Sequence, residues 1–313
     1  MLNLFDAHCD TLLRCYEQGG GLWERPGGHI DLARTRKFGC YAQFFAIFGS
    51  PEDMPGKDLR QVFLRQHGII SQEIKHNEDY ISLCRNGSEA QKAFAAGKTA
   101  AFLSVEGGEL LGCDIAWLER ARKMGVRSVN ITWNHANVLS GSCAEERDRG
   151  LSDRGRVFVR RLRALGMFAD LSHISDKGFW DVAEMECGPL FASHSNSRSV
   201  FFNRRNLTDE QFTAIIRSGG AAGINMFAEF LGEGADLDTV VAHIEHFLAL
   251  GGEKNICIGG DWDGMNRLPK GMDGIWDMDR LCERLLQRNY SQTLVDAVFF
   301  TNLMRVVNEV CTI

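Results

Sequence analysis

Two hydrophobic periods alternate along this chain. Apolar runs recur at Leu2–Ala7, Cys40–Phe48, Thr99–Val105, Arg127–Thr132, Met167–Leu171, Pro189–Ser193, Ala221–Met226 and Asn255–Gly259. Several are continuous rather than alternating, the pattern of parallel strands buried on both faces. Between them lie segments of helical period. Asp58–Tyr80 sets Val62, Leu64, Ile69, Ile70 and Ile74 on one stripe, and Asp114–Met124, Ser152–Leu165, Thr208–Arg217 and Asp236–Leu250 follow. Thr208-Asp209-Glu210-Gln211 has the form of a capping box, and Gly125, Gly166, Gly219 and Gly251 stand where helices stop. Asp277–Arg288 and Ser291–Val310 read as terminal helices. Eight βα units predict an α/β chain folded as a (β/α)8, TIM-type barrel with extra C-terminal helices, one domain over residues 1–313. A doubly wound open sheet has the same element order, but it would gather its site at one switch point. Here the chemically active residues are spread over the whole length. The glycine-rich stretch Thr11–Gly39 is expected to be a loop beside the site.

Composition narrows the function. The net charge is −6 without a basic block, which argues against nucleic acid as a partner. No apolar stretch approaches membrane-spanning length, and Met1–Phe5 lacks the basic and long apolar regions of a signal peptide, so the expectation is a cytoplasmic protein without membrane attachment. The ten cysteines are scattered from Cys9 to Cys311 with no C-x-x-C pair, as for buried thiols in a reducing compartment. Cys9 itself reads as a core side chain.

The strand ends carry the chemistry. His8 and Asp10 form a His-x-Asp pair after the first run. Glu106 ends the run from Ala100, His173 follows Leu171, His194 follows Ser193, and Asp261 follows Gly259-Gly260. Two divalent ions held a few ångströms apart need imidazole and carboxylate ligands and a bridging group. His8, Asp10, Glu106, His173 and His194 are the candidates. A glutamate has two oxygens with which to bridge, and Gly107 and Gly108 allow close approach beside it. Zinc suits this donor set best, with manganese or cobalt compatible. Asp261 is positioned to take the proton that an attacking hydroxide releases and to pass it to a leaving amine. An arginine in Arg204-Arg205-Asn206 suits a substrate carboxylate. His243-Ile244-Glu245-His246 looks ligand-like but falls mid-helix, where a solvated face is expected, and His29, His67 and His76 are read as equally ordinary. Trp262, Trp276 and Phe299–Phe300 are read as packing.

Six segments together resemble the membrane (renal) dipeptidase family of zinc peptidases, among the amidohydrolase-like barrels. They are Asp6-Ala7-His8-Cys9-Asp10, Ser104-Val105-Glu106-Gly107-Gly108, Asp170-Leu171-Ser172-His173, Ser193-His194-Ser195, Arg204-Arg205-Asn206 and Gly259-Gly260-Asp261-Trp262-Asp263-Gly264. They occur in the family's order across most of the chain. The resemblance implies two Zn2+ per chain, His8 and Asp10 on one, His173 and His194 on the other, with Glu106 bridging. It implies Asp261 as proton shuttle, Arg205 as binder of a dipeptide's terminal carboxylate, and tolerance of a D-residue in second place. It also implies a carbonyl-polarising histidine after the fourth strand. There the chain reads Thr132-Trp133-Asn134-His135, with Trp133 where the family's histidine more often stands and His135 two places on. His135 is the candidate for that role. A dipeptide is the expected substrate, and a homodimer is left open. Two other readings remain: a binuclear hydrolase of N-acyl amino acids or lactones, for which Arg205 discriminates, and a non-catalytic metal-binding protein.

Overall fold

The computed structural model describes residues 1–312. Nine strands run in one parallel sheet: β1 (Leu4–Cys9), β2 (Tyr41–Phe48), β3 (Ile81–Leu83), β4 (Thr99–Glu106), β5 (Val126–Asn130), β6 (Phe168–Asp170), β7 (Phe191–Ala192), β8 (Ala221–Ile224) and β9 (Ile256–Ile258). The sheet closes because β2 also pairs with β4, from Ala42 opposite Ala100 to Phe48 opposite Glu106, while β9 returns to β1. Eight strands therefore form the barrel, and an open doubly wound sheet is ruled out. β3 lies outside the ring on the first residues of β4, Thr99–Ala101.

The helices begin where the local chemistry dictates. Asp58, Asp114, Ser152 and Thr208 each accept a backbone N–H of the first turn, and Thr208 with Gln211 forms the expected reciprocal box. The apolar stripes then pack on the outer face of the barrel in one continuous core. No helix among the described residues is long and apolar enough to cross a membrane.

Three local readings are corrected. The helix expected over Asp58–Tyr80 spans Leu59–His76, and the short strand β3 and a helix Gly87–Ala95 follow it. The Thr11–Gly39 stretch contains helices Thr11–Gln18 and Leu32–Thr35. The last helix, read as continuous from Ser291, passes through a π-helical stretch at Ala297–Thr301 before Asn302–Val310.

The barrel interior is filled by one phenylalanine from each of five strands: Phe5, Phe44, Phe102, Phe168 and Phe191. Phe5, Phe44 and Phe102 stack with ring centroids 5.1–5.8 Å apart, and Phe168 meets Phe191 at 4.5 Å. Small residues on β8 and β9, Ala221 and Cys257, complete the layer, and Phe300, Leu303 and Val307 seal it from below. This plug leaves the opposite, C-terminal end of the strands free for polar groups.

A bulge in β1 turns the first candidate pair toward that end. Asp6 pairs with Gln43 but Cys9 with Phe45, so β1 holds one residue more than its partner. Strict alternation would put Cys9 on the face of Phe5 and Ala7. Instead Cys9 packs in the outer core, and His8 and Asp10 reach the mouth.

Candidate metal centre

The barrel brings His8, Asp10, Glu106, His173, His194 and Asp261 together at the ends of β1, β4, β6, β7 and β9, all buried or nearly so. Glu106 is at the middle. Its Oε1 lies 2.9 Å from His173 Nε2 and 3.5 Å from His194 Nε2, and its Oε2 lies 3.6 Å from His8 Nε2. His8 Nε2 is also 3.5 Å from Asp10 Oδ2 and 3.9 Å from Asp261 Oδ1. The two oxygens of one carboxylate thus face two different imidazole groups.

Hydrogen bonds fix which atoms of the rings point inward. Asn134 Oδ1 lies 2.8 Å from His173 Nδ1. An amide oxygen only accepts, so Nδ1 carries the proton and Nε2 presents a lone pair. Arg205 agrees, since its Nη2, a pure donor, stands 3.0 Å from that Nε2. Ser193 Oγ contacts His194 Nδ1 at 2.6 Å. His173 Nε2 and His194 Nε2 are only 2.9 Å apart. Both nitrogens of His8 and Asp10 Oδ1 are buried without a hydrogen-bond partner. Converging lone pairs and orphaned buried atoms around one carboxylate make a donor set that fits a divalent cation, and His8–Glu106–His194 and His8–Asp10–Asp261 each have ligand atoms close enough to share an ion.

The electrostatics follow from crowding in a buried site. Burial pushes His173 down to about 3, with the Arg205 guanidinium adding to it. Burial and the neighbouring His8 charge hold His194 well below its ordinary value. Burial works against a charged His8, but the Glu106 and Asp10 carboxylates outweigh it and raise the imidazole well above its usual value. Burial also opposes ionisation of Glu106, yet the His8 charge, with the imidazoles of His173 and His194 close by, keeps it well below the carboxylate range. Asp10 is raised well above that range by burial and by Glu106. Two imidazoles are thereby kept neutral, the form that binds metal.

The backbone is strained where it must turn side chains inward. His173, Asp261 and Asp263 have φ of 73°, 60° and 68°. Donors over-determine these turns. Cys143 N and Thr132 Oγ1 both donate to the His173 carbonyl, and Asp261 N donates to the His8 carbonyl. Asn225 Nδ2 holds Asp261 Oδ2 at 2.9 Å, leaving Oδ1 toward His8. Gly264 packs so closely that a Cβ there would run into Asp10 Oδ2.

A cavity of about 120 Å³ opens over the cluster. Asp10, Glu106, His173 and Asp261 give its polar floor, and Phe48, Trp133, Phe227 and Phe230 its aromatic walls. A larger groove of about 500 Å³ elsewhere, along Trp180 and Arg217, contains no such group of ligand-type side chains. Arg205 is buried behind the floor, its guanidinium 5.4 Å from the Phe230 ring centroid and its Nε without a partner.

Two sequence readings are revised. His135 lies outside the cavity, half-buried, with its Nδ1 2.9 Å from Glu145 and its Nε2 3.8 Å from Glu52. Its loop sends Trp133 and Asn134 inward instead, so the structure gives His135 no contact with the centre. His243 is not on a solvated face. It is fully buried, with Nδ1 accepting from Ser197 N and Nε2 meeting the Leu231 carbonyl. His246 is half-buried against Asp209.

The sequence reading also passed over the residues that brace the centre. Asp6 accepts from His8 N, Gly260 N, Gln43 Nε2 and Trp262 Nε1, and so ties β1 to the segment after β9. Asp170 accepts from Ser172 N and Ser193 N, and does the same between β6 and β7. Both carboxyls are raised by burial. Their signal was a charged residue inside an otherwise apolar strand.

A family model described as membrane dipeptidase (peptidase family M19) matches residues 1–313. The chain belongs to the membrane dipeptidase family. It is a metallo-dipeptidase by that membership, and its hydrolase class follows. A protein of Klebsiella pneumoniae, described as an uncharacterized protein in the pqqA 5′ region, is 30% identical over 269 residues, covering 82% of this chain and 98% of its own. A metallo peptidase from Rhodobacter sphaeroides, liganded with a phosphinate mimic of the dipeptide L-Ala-D-Ala, superimposes with a TM-score of 0.90 at 26% identity, covering 99% of both chains. The probable dipeptidase PvdM from Pseudomonas aeruginosa has the same fold, with a TM-score of 0.92 at 21% identity over 99% of this chain and 96% of that one.

Proposed function

We propose that this membrane dipeptidase family member hydrolyses dipeptides, including those with a D-residue in second place, with residues 1–313 acting as one domain. The observation that carries the reading is the division of Glu106: one oxygen toward His173 and His194, the other toward His8 beside Asp10. We assign His8 and Asp10 to one ion, His173 and His194 to a second, and Glu106 to both, zinc being the metal this donor set favours. Ions bound there supply Lewis acidity for the scissile carbonyl and lower the pKa of water.

The chain's own groups do the rest. Asp261 accepts the proton of the attacking water at Oδ1, since Oδ2 is engaged by Asn225. As the C–N bond breaks, it delivers that proton to the leaving amine, so hydrolysis leaves Asp261 as it began. Arg205 binds the terminal carboxylate. It is buried, fixed over Phe230, and still has an unused Nε donor. A neutral lactone would leave that guanidinium unmatched, which favours the dipeptide over the lactone reading. The relative liganded with an L-Ala-D-Ala mimic supports the D-residue.

The test is a screen of L,L and L,D dipeptides against zinc-loaded protein, with metal measured by elemental analysis. About two equivalents of metal and cleavage of at least one dipeptide series are expected. One equivalent or none would overturn the binuclear assignment, and cleavage confined to N-acyl amino acids or lactones would overturn the dipeptide.

A further inference from the structure

Beside the centre, a second cavity of about 190 Å³ lies between the loop after β5 and the loop after β7. It is lined by Cys143, Arg147, Asp176, Arg198, Phe202 and Arg204. A tight crevice of about 10 Å³ lies between it and the centre, lined by Asp176, Arg198 and Arg204 on the outer side and by His173 and Arg205 on the inner. The charge here runs against the chain's net −6. Arg198 is committed, its two Nη atoms each 2.8 Å from an Asp176 oxygen. Arg147 and Arg204 are exposed and have no carboxylate partner among the described residues. The neighbouring acids are engaged elsewhere: Glu145 with His135, Glu146 with Arg149, while Asp148 lines a different groove with Lys177. The Phe202 side chain stands 76% exposed on the rim. Two guanidiniums without carboxylate partners therefore stand at the outer side of the crevice whose inner wall is the buried Arg205.

We propose that this vestibule is a subsite for a second carboxylate, so that the preferred dipeptides carry an acidic C-terminal residue, aspartate or glutamate. The inference rests on the dipeptidase reading of the centre. Arg205 takes the main-chain carboxylate, and the acidic side chain points outward between Arg147 and Arg204, with Phe202 covering its methylenes. Two partly exposed ion pairs of this kind are worth about tenfold in affinity together and weaken with salt.

The experiment compares kcat/KM for Ala-Glu with Ala-Gln, of equal shape and different charge, in L,L and L,D forms. Ala-Glu is expected to be favoured about tenfold at low salt, with the ratio shrinking in 0.5 M salt (roughly a 4 Å screening length). In Arg147→Ala/Arg204→Ala protein the ratio should fall to near one. Calorimetric binding of free glutamate against free glutamine to the metal-loaded protein reads the subsite without turnover. If no dipeptide is cleaved but glutamate binds better in an arginine-dependent way, the subsite stands and the dipeptidase reading falls. A Glu/Gln ratio at or below one, or one that the double variant leaves unchanged, overturns the subsite while the dipeptidase reading survives.

Discussion

Asp261 has one oxygen held by Asn225 and one turned toward His8, on a backbone with positive φ. Such a side chain is positioned rather than mobile. Asp261→Asn keeps the shape and the amide contact but removes the proton acceptor. The expected outcome is a fall in kcat of at least ~10²-fold with KM little changed, measured on protein whose metal content matches the parent. A fully metallated variant with near-parental kcat would remove Asp261 from the mechanism. At this scale much was legible, because ligand chemistry uses few residue types and places them at strand ends. Asn134 and Asn225 were not, because an amide that orients a neighbour looks in sequence like any loop asparagine. His135 misled for the opposite reason: a histidine near the right place carries a strong chemical signal even when the loop turns it outward.

The loop after β5 works as a clamp on the His173 turn. Thr132 and Cys143 hold the backbone and Asn134 holds the ring. Asn134→Ala should leave the fold intact and weaken binding at the His173 position by about 10–100-fold, seen as faster loss of one metal equivalent to a chelator. Equal release rates in variant and parent would show that the clamp needs no ring contact. The helix Leu237–Ala249 makes a separate prediction. Burial lowers its His243 to about 4 from 6.5. Between those values the unfolded chain takes up a proton that the folded chain refuses, so this residue's contribution to stability is lost as pH falls from about 6.5 toward 4. Urea unfolding of His243→Asn protein should therefore show a shallower decline over that interval than the parent; parallel curves would mean the site does not stay neutral. Sequence patterning located most helices of this kind and their caps. It misjudged the face of His243 because a lone histidine gives no amphipathic signal, and it missed β3 because three residues are too few to show a period.

Across the whole molecule, closure of the sheet is what assembles the site. Candidate ligands come from residues 8 to 194 and the proposed shuttle from 261, and no two of the contributing strand ends are joined by a tight turn. Ions that bind only the folded arrangement add to its stability by mass action. Chelation should accordingly lower the Tm by several degrees in a calorimeter and readdition of zinc restore it, about 1 kcal/mol shifting a domain of this size by ~2–4 °C; an unchanged Tm would mean that the centre is empty or that the ions bind the unfolded chain equally. The barrel order itself was legible because continuous apolar strands and intervening helices repeat eight times, whereas the β1 bulge was hidden, since a single extra residue leaves composition and period almost unchanged.

The carboxylate of Asp6 binds groups at Gly260 and Trp262, more than 250 positions further along the chain. A ribosome delivers Asp6 and His8 early and the groups that brace them near the end, so the first strand waits for the last to fix its place. The barrel that gathers the ligands therefore closes only once β9 and Trp262 have been made.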